Sequence, residues 1–80
     1  MENSRKELKG FYRDYYQMYI NADPETREKA KQYNLDKHTE NIISGRHDLI
    51  MFTAGKLIAI FKAEYDLATE GYQEGITNND

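Results

Sequence analysis

The sequence predicts an all-α protein, a small helical bundle with two shorter N-terminal helices and a long apolar C-terminal helix that breaks or bends near its start. Three observations support this fold class. The 80-residue chain contains no valine, it has no run of alternating polar and apolar residues, and three successive segments repeat apolar residues at helical spacing. A chain of this length forms one domain, which we assign to residues 1–76, with residues 77–80 as a disordered tail.

The first helix is predicted over Ser4–Ala22. Its apolar residues lie three and four positions apart, as in an amphipathic helix. They are Leu8, Phe11, Tyr15, Met18 and Ala22. Ser4, with Glu7 three residues later, is typical of a capping box at a helix start. We therefore expect the face built on these apolar residues to be buried.

The second helix has the sharpest start signal in the sequence. Asp23 is a favourable N-cap and Pro24 suits the first helical position, so a helix is predicted from Pro24 to about Tyr33. The segment Asn34–Asp36 resembles a turn in which Asp36 caps the next helix.

The third helical segment is predicted to extend from Asp36 to about Glu70. Ser44-Gly45 is the expected break or bend, and Asp48 is a candidate cap for a restart. Gly71 is the expected C-terminal stop.

Residues 48–70 carry an unusually wide apolar surface. A helical projection gives an apolar arc clearly wider than the ~100° of an ordinary surface helix. Phe52 lies in the polar sector and Glu64 in the apolar arc, as exceptions to this division. Two short helices cannot easily cover such an arc, so we expect a homodimer in which these helices pack centrally. A different protein partner is the alternative.

Small residues recur every four positions in the polar sector of the same helix. They are Gly55, Ala59 and Ala63. Such a run allows another helix backbone to approach closely, although small residues also serve as neutral filler on a helix surface.

Catalytic and metal-binding chemistry has little support in the sequence. The chain has no cysteine, which excludes thiol catalysis and disulfides. His38 and His47 are nine positions apart and would face opposite sides of one helix, so they cannot share a metal. Glu25 and Glu28 are explained by the positive end of the helix dipole. We therefore predict no enzyme activity, no catalytic residues, no cofactor and no metal.

Nucleic-acid binding is a second hypothesis. Arg5, Lys9 and Arg13 are spaced by four and form a basic stripe that phosphates would favour, beside tyrosines able to stack on bases. Residues 30–46 also resemble a helix-turn-helix, but Glu40 stands where that motif needs a buried apolar residue. A net charge of −3 argues against a general nucleic-acid binder, and the basic stripe is equally typical of a solvated helix face.

Tyrosine is the outlier in composition, with seven residues in eighty. Tyr15 belongs to the predicted buried face of the first helix, whereas Tyr12, Tyr16 and Tyr19 are expected to lie outside that face. Tyrosine is enriched at protein interfaces, although these rings could equally enlarge a small core. Together with the apolar arc, they give a predicted protein-interaction set. It comprises Tyr12, Tyr16, Tyr19, Leu57, Phe61 and Tyr65.

The sequence therefore favours a non-catalytic protein that binds another protein. Residues with A/T-rich codons predominate, which indicates a low-GC bacterium, its phages or its plasmids, and favours a phage or mobile-element accessory or inhibitor protein. A nucleic-acid-associated regulator and a bacterial structural or assembly module are the alternatives. The longest apolar stretch, residues 49–61, is too short to span a membrane, so we expect a cytoplasmic protein.

Overall fold

The protein folds into three α-helices in a computed structural model. It describes the backbone of residues 2–79 and the side chains of residues 8–70. The helices are α1 (Glu2–Asn21), α2 (Pro24–Ser44) and α3 (His47–Asn79). No strand occurs within the described range, so the predicted all-α class is confirmed. No helix in that range is long and apolar enough to cross a membrane.

The bundle is organised around α3. Both α1 and α2 pack against α3, whereas α1 and α2 make few contacts with each other. Phe11 stacks on Phe52, and Tyr19 bonds Glu64 further along, so α1 is parallel to α3. On α2, Lys31 bonds Glu64 and the later residue His38 bonds the earlier residue Thr53. The helix α2 is therefore antiparallel to α3.

The starts of α1 and α2 compare differently with their predictions. Because α1 begins at Glu2, Ser4 lies inside the helix and does not cap it; its side chain and that of Glu7 are outside the described residues. The start of α2 is confirmed, because the Asp23 carboxylate accepts a hydrogen bond from the Thr26 amide at 2.7 Å. That backbone bond lowers the pKa of Asp23.

The predicted turn at residues 34–36 is wrong, because α2 continues without interruption to Ser44. Asn34 is buried, and its Nδ2 donates to the Tyr15 hydroxyl at 2.7 Å and to the Ala30 carbonyl at 2.8 Å. Its polar side chain therefore joins α2 to α1 instead of ending the helix, and Asp36 is an ordinary helical residue.

The break at Ser44-Gly45 is confirmed. Gly45 has φ +70° and its amide bonds the Ile42 carbonyl at 3.1 Å, while the Arg46 amide bonds the Asn41 carbonyl at 3.1 Å. This pair of bonds is a Schellman C-cap, which favours glycine because of the positive φ.

The predicted limits of α3 need correction. Asp48 lies in the first turn of the helix and is not its cap. The helix continues past Gly71 to Asn79, so the predicted stop is wrong. The predicted tail begins inside α3, and Asp80 lies outside the described residues.

The buried face of α1 is rotated from the predicted one and shares Tyr15 with it. Of the predicted apolar face, Leu8, Phe11 and Met18 are exposed. The helix instead turns its tyrosines inward, and Tyr19 is only 2% exposed. The buried apolar cluster and the residues packed on it are Tyr19, Leu57, Ile60, Ala63, Tyr15, Tyr16, Ile20, Ala30 and Leu35.

The small residues of α3 receive these tyrosines. Ala59 and Ala63 are buried, and a Cβ added at Gly55 would overlap the Tyr12 ring. The run of small residues is therefore a contact surface for α1 and not filler.

Phe52 and Glu64, the two exceptions in the helical projection, are explained by the side of α3 that turns inward. The inward side of α3 lies between the predicted polar sector and the predicted apolar arc, so Phe52 faces α1 and Glu64 faces both neighbouring helices. The Phe52 and Phe11 rings are 5.3 Å apart. Lys56 lies beside them, with its Nζ 5.3 Å from the Phe52 ring centroid, and burial lowers its pKa.

The contact between Gly55 and Tyr12 generates a prediction about stability. We expect Gly55→Ala to destabilise the wild-type chain, because the new methyl group displaces the Tyr12 ring. In a Tyr12→Ala background the same change should stabilise by about 1 kcal/mol, since alanine is the better helix former. Urea unfolding of the four chains measures both effects.

Gly10→Ala is the matched control, because an added Cβ there meets nothing within 4 Å. It should stabilise the chain in either background. An effect of Gly55→Ala with the same sign and size in both backgrounds would contradict the close packing of α1 on α3.

Candidate protein-interaction surfaces

A polar cluster ties the three helices together in the middle of the bundle. The Glu64 carboxylate of α3 accepts hydrogen bonds from the Tyr19 hydroxyl of α1 and the Lys31 ammonium of α2, each at 3.1 Å. Burial, followed by the bond to Glu64, raises the pKa of Tyr19 to about 12. The same carboxylate raises the pKa of Lys31. These hydrogen bonds from Tyr19 and Lys31 to Glu64 hold all three helices together.

A second polar contact holds the middle of α1 to α3. The Tyr16 hydroxyl donates to Asp66, and Lys62 Nζ lies 2.9 Å from that carboxylate and 5.0 Å from the Tyr16 ring centroid. The bonds from Tyr16 and Lys62 lower the pKa of Asp66. Both the ring and the hydroxyl of Tyr16 are therefore engaged within the bundle.

An apolar groove lies between α1 and α3, and we name it the α1/α3 groove. It consists of two adjoining cavities of about 510 and 480 Å³ that share Tyr12, Gly55 and Ile58. Arg13, Gln17 and Lys62 border it at one end, and Asp48 borders it at the other. The lining is mostly apolar, and charged groups lie at the two ends.

An exposed side of α3 carries a row of apolar residues, which we name the outer stripe, and its first half borders the α1/α3 groove. Its members lie three and four positions apart: Met51, Ala54, Ile58, Phe61, Tyr65 and Ala68. Met51 is 71% exposed, Ile58 and Tyr65 are 67% exposed, and Phe61 is 49% exposed. The chain thus leaves this row of apolar side chains largely uncovered.

The predicted interaction set divides into three groups. Tyr19 and Leu57 are core residues, so they cannot meet a partner while the bundle is closed. Tyr12 and Tyr16 are half-buried against α3, and the expectation that the three α1 tyrosines lie outside the buried face is wrong. Phe61 and Tyr65 lie on the outer stripe, where they remain candidates for contact with a partner.

The other candidate residues have simpler surroundings. Lys9 and Arg13 are exposed on α1, and the Arg5 side chain lies outside the described residues. His38 Nδ1 is 2.7 Å from the Thr53 hydroxyl and joins α2 to α3. Among the described residues, no three potential metal ligands cluster. The resemblance to a helix-turn-helix fails, because residues 30–44 form one continuous helix.

The α1/α3 groove was not predicted from the sequence. Its walls combine tyrosines of α1 that are predicted to lie outside the buried face with small residues of α3 from the predicted polar sector. The signal present in the sequence is the match between large residues at positions 12, 16 and 19 and small ones at positions 55, 59 and 63.

The described fold defines a small all-α bundle of three helices. Comparisons of the chain with protein-family models, with curated proteins and with solved structures gave no match.

The raised pKa of Tyr19 predicts a loss of stability at high pH. Below pH 10 the phenol is protonated in both states; between its ordinary pKa of 10.0 and about 12, it ionises only when the chain unfolds. Ionisation then favours the unfolded state, so the free energy of unfolding should fall as the pH rises through this range. Tyr19→Phe should make this decline shallower, as measured by urea unfolding at several pH values.

Tyr16 and Lys31 also have raised pKa values, so the decline should not vanish in the Tyr19→Phe variant. Tyr33→Phe, at a tyrosine 58% exposed, is the control and should keep the wild-type decline. Identical declines in the wild type and in Tyr19→Phe would contradict the burial of the Tyr19 phenol and its hydrogen bond to Glu64.

Proposed function

We propose that the chain is a non-catalytic protein that acts by binding another protein through the α1/α3 groove. The single observation that carries this proposal is the continuous apolar groove, whose two cavities meet at Tyr12, Gly55 and Ile58. Apolar grooves with a few charged groups at their ends are typical of sites that receive side chains from a partner.

The form of the groove favours an amphipathic helix as the bound segment. Two parallel helices make its walls, and Met51, Gly55, Ile58 and Lys62 of α3 follow one another at helical spacing along it. Partner helices dock in such grooves with apolar residues three or four positions apart. The exposed Arg13 at one end favours an acidic residue at the matching end of the partner helix.

The nucleic-acid alternative has less support. Lys9 and Arg13 are exposed and could contact phosphates. Stacking on bases would need free tyrosine faces, however, and the Tyr12 ring lies against Gly55 while Lys62 lies over the Tyr16 ring. We therefore rank protein binding first.

The biological setting remains a proposal based on size and composition. A short chain rich in residues with A/T-rich codons suits an accessory or inhibitor protein of a phage or mobile element, acting in the cytoplasm of its host. A bacterial structural or assembly module would use the same groove, and the identity of the captured partner separates the two.

A photo-crosslinking experiment tests the groove. Gln17 is exposed at its border, so a benzoylphenylalanine placed at position 17 should crosslink to the partner in a low-GC bacterial lysate. We expect one adduct of the chain with a different protein, identified by mass spectrometry. Adding Arg13→Glu should reduce the yield of that adduct several-fold, because it reverses the charge at the groove's end.

The control carries the same probe at Ile43, which is 80% exposed on α2 and outside the groove. It should give no adduct of that mass. Equal labelling at both positions, or an adduct at position 17 with nucleic acid that nuclease removes, would contradict the proposed function.

A further inference from the structure

The outer stripe follows the spacing of a coiled-coil seam. Its alternating intervals of three and four residues keep apolar side chains on one line along α3 for about 26 Å, at 1.5 Å per residue. No position in this line is charged. Soluble monomers rarely leave such a continuous apolar surface open to water.

The exposed area of the chain is large enough to supply a stable interface. The chain exposes 6317 Å², whereas a compact monomer of 9.4 kDa exposes about 5,000 Å². The difference exceeds the roughly 800 Å² that each partner buries in an ordinary stable complex. Met51, Ile58, Phe61 and Tyr65 of the outer stripe are among the large apolar residues that the chain exposes.

The sizes of the stripe residues match those of a second copy in one orientation. If two α3 helices pair antiparallel about a twofold axis between Ile58 and Phe61, then Ile58 faces Phe61 of the partner. In the same register the small Ala54 faces the partner's Tyr65, and Met51 faces the partner's Ala68. In the outer layers a large residue thus meets an alanine, and in the central layers Ile58 meets Phe61, as close packing requires.

A parallel pair would place each residue opposite its own copy. Two tyrosines would then share one layer, and two alanines would leave space in another. The pattern of sizes therefore selects the antiparallel arrangement, which is also the isologous contact of a twofold dimer.

We infer that the outer stripe of α3 binds the outer stripe of a second copy, forming an antiparallel homodimer with Ile58 and Phe61 at its centre. This goes beyond the proposed function, because it names a second copy of the chain as a partner. Met51, Ala54 and Ile58 of the stripe border the α1/α3 groove, whereas Phe61, Tyr65 and Ala68 do not. Arg13 and Gln17, which carry the groove experiment, are on α1 and outside the stripe.

Sedimentation equilibrium of the full chain tests the dimer. The wild type should sediment at twice the chain mass, with unchanged helix content by circular dichroism on dilution. Phe61→Glu with Tyr65→Glu should raise the dimer Kd by at least roughly 100-fold while keeping the helices, because pairing would bury carboxylates. Tyr33→Glu with Ile43→Glu, at exposed apolar residues of α2, is the matched control and should stay dimeric.

Introduced cysteines test the orientation, since the chain has none of its own. Met51→Cys combined with Ala68→Cys should give covalent dimers on oxidation, because these positions face each other across the antiparallel pair. Each single variant should give none, since like positions would be about 26 Å apart, far beyond disulfide reach.

The outcomes separate the alternatives. A wild-type chain that sediments as a monomer, or a dimer that the two glutamates leave intact, overturns the inference. Covalent dimers from the single-cysteine variants would show parallel pairing and overturn the orientation. A monomer that still gives the adduct at Gln17 would leave the proposed function standing without the dimer.

Discussion

The Glu64 carboxylate is the constraint on which the arrangement of the bundle depends. Because α1 and α2 make few contacts with each other, α3 has to hold both, and Glu64 does so through Tyr19 and Lys31. Hydrogen bonds to a charged group contribute more than neutral ones, and their loss in a partly buried site leaves polar groups without partners. The rotation of α3 follows from this, since turning Glu64 inward also turns Ile60 and Ala63 inward and leaves Ile58 and Tyr65 outside.

This rotation explains why large apolar residues of α3 stay exposed while small ones are buried. The tyrosines of α1 supply the bulk of the α1/α3 contact, so the matching surface of α3 has to be small, as it is at Gly55, Ala59 and Ala63. The larger residues on the opposite side, Phe61 and Tyr65 among them, contribute nothing to this core. They are the part of the surface for which the fold of one chain gives no reason, and the proposed dimer contact involves them.

The start at Pro24 and the break at Gly45 could be predicted from the sequence because each depends on local chemistry: a cap, a ring, a positive φ. The buried faces could not. Helical periodicity ranks residues by hydrophobicity, and tyrosine, alanine and glycine fit either side of a helix. Phe52 and Glu64, the residues that broke the pattern on α3, were in fact the ones that marked its inward side. The prediction of a turn at Asn34 was wrong for a related reason. The residue's tertiary partner, the Tyr15 hydroxyl, is nineteen positions away in the sequence.

The two proposed contacts share Met51, Ala54 and Ile58 of the outer stripe, and of these Ile58 lines both cavities of the α1/α3 groove. If both contacts form, they cannot be energetically independent, because the same side chains would serve two neighbours. A partner helix that covers Ile58 would weaken the pairing of two α3 helices, and by linkage the dimer would weaken partner binding by the same factor. A partner that reaches only the α1 wall, at Arg13 and Gln17, would bind the dimer and the monomer equally. The share of Ile58 that the partner covers therefore determines whether dimerisation regulates the groove or only presents two copies of it.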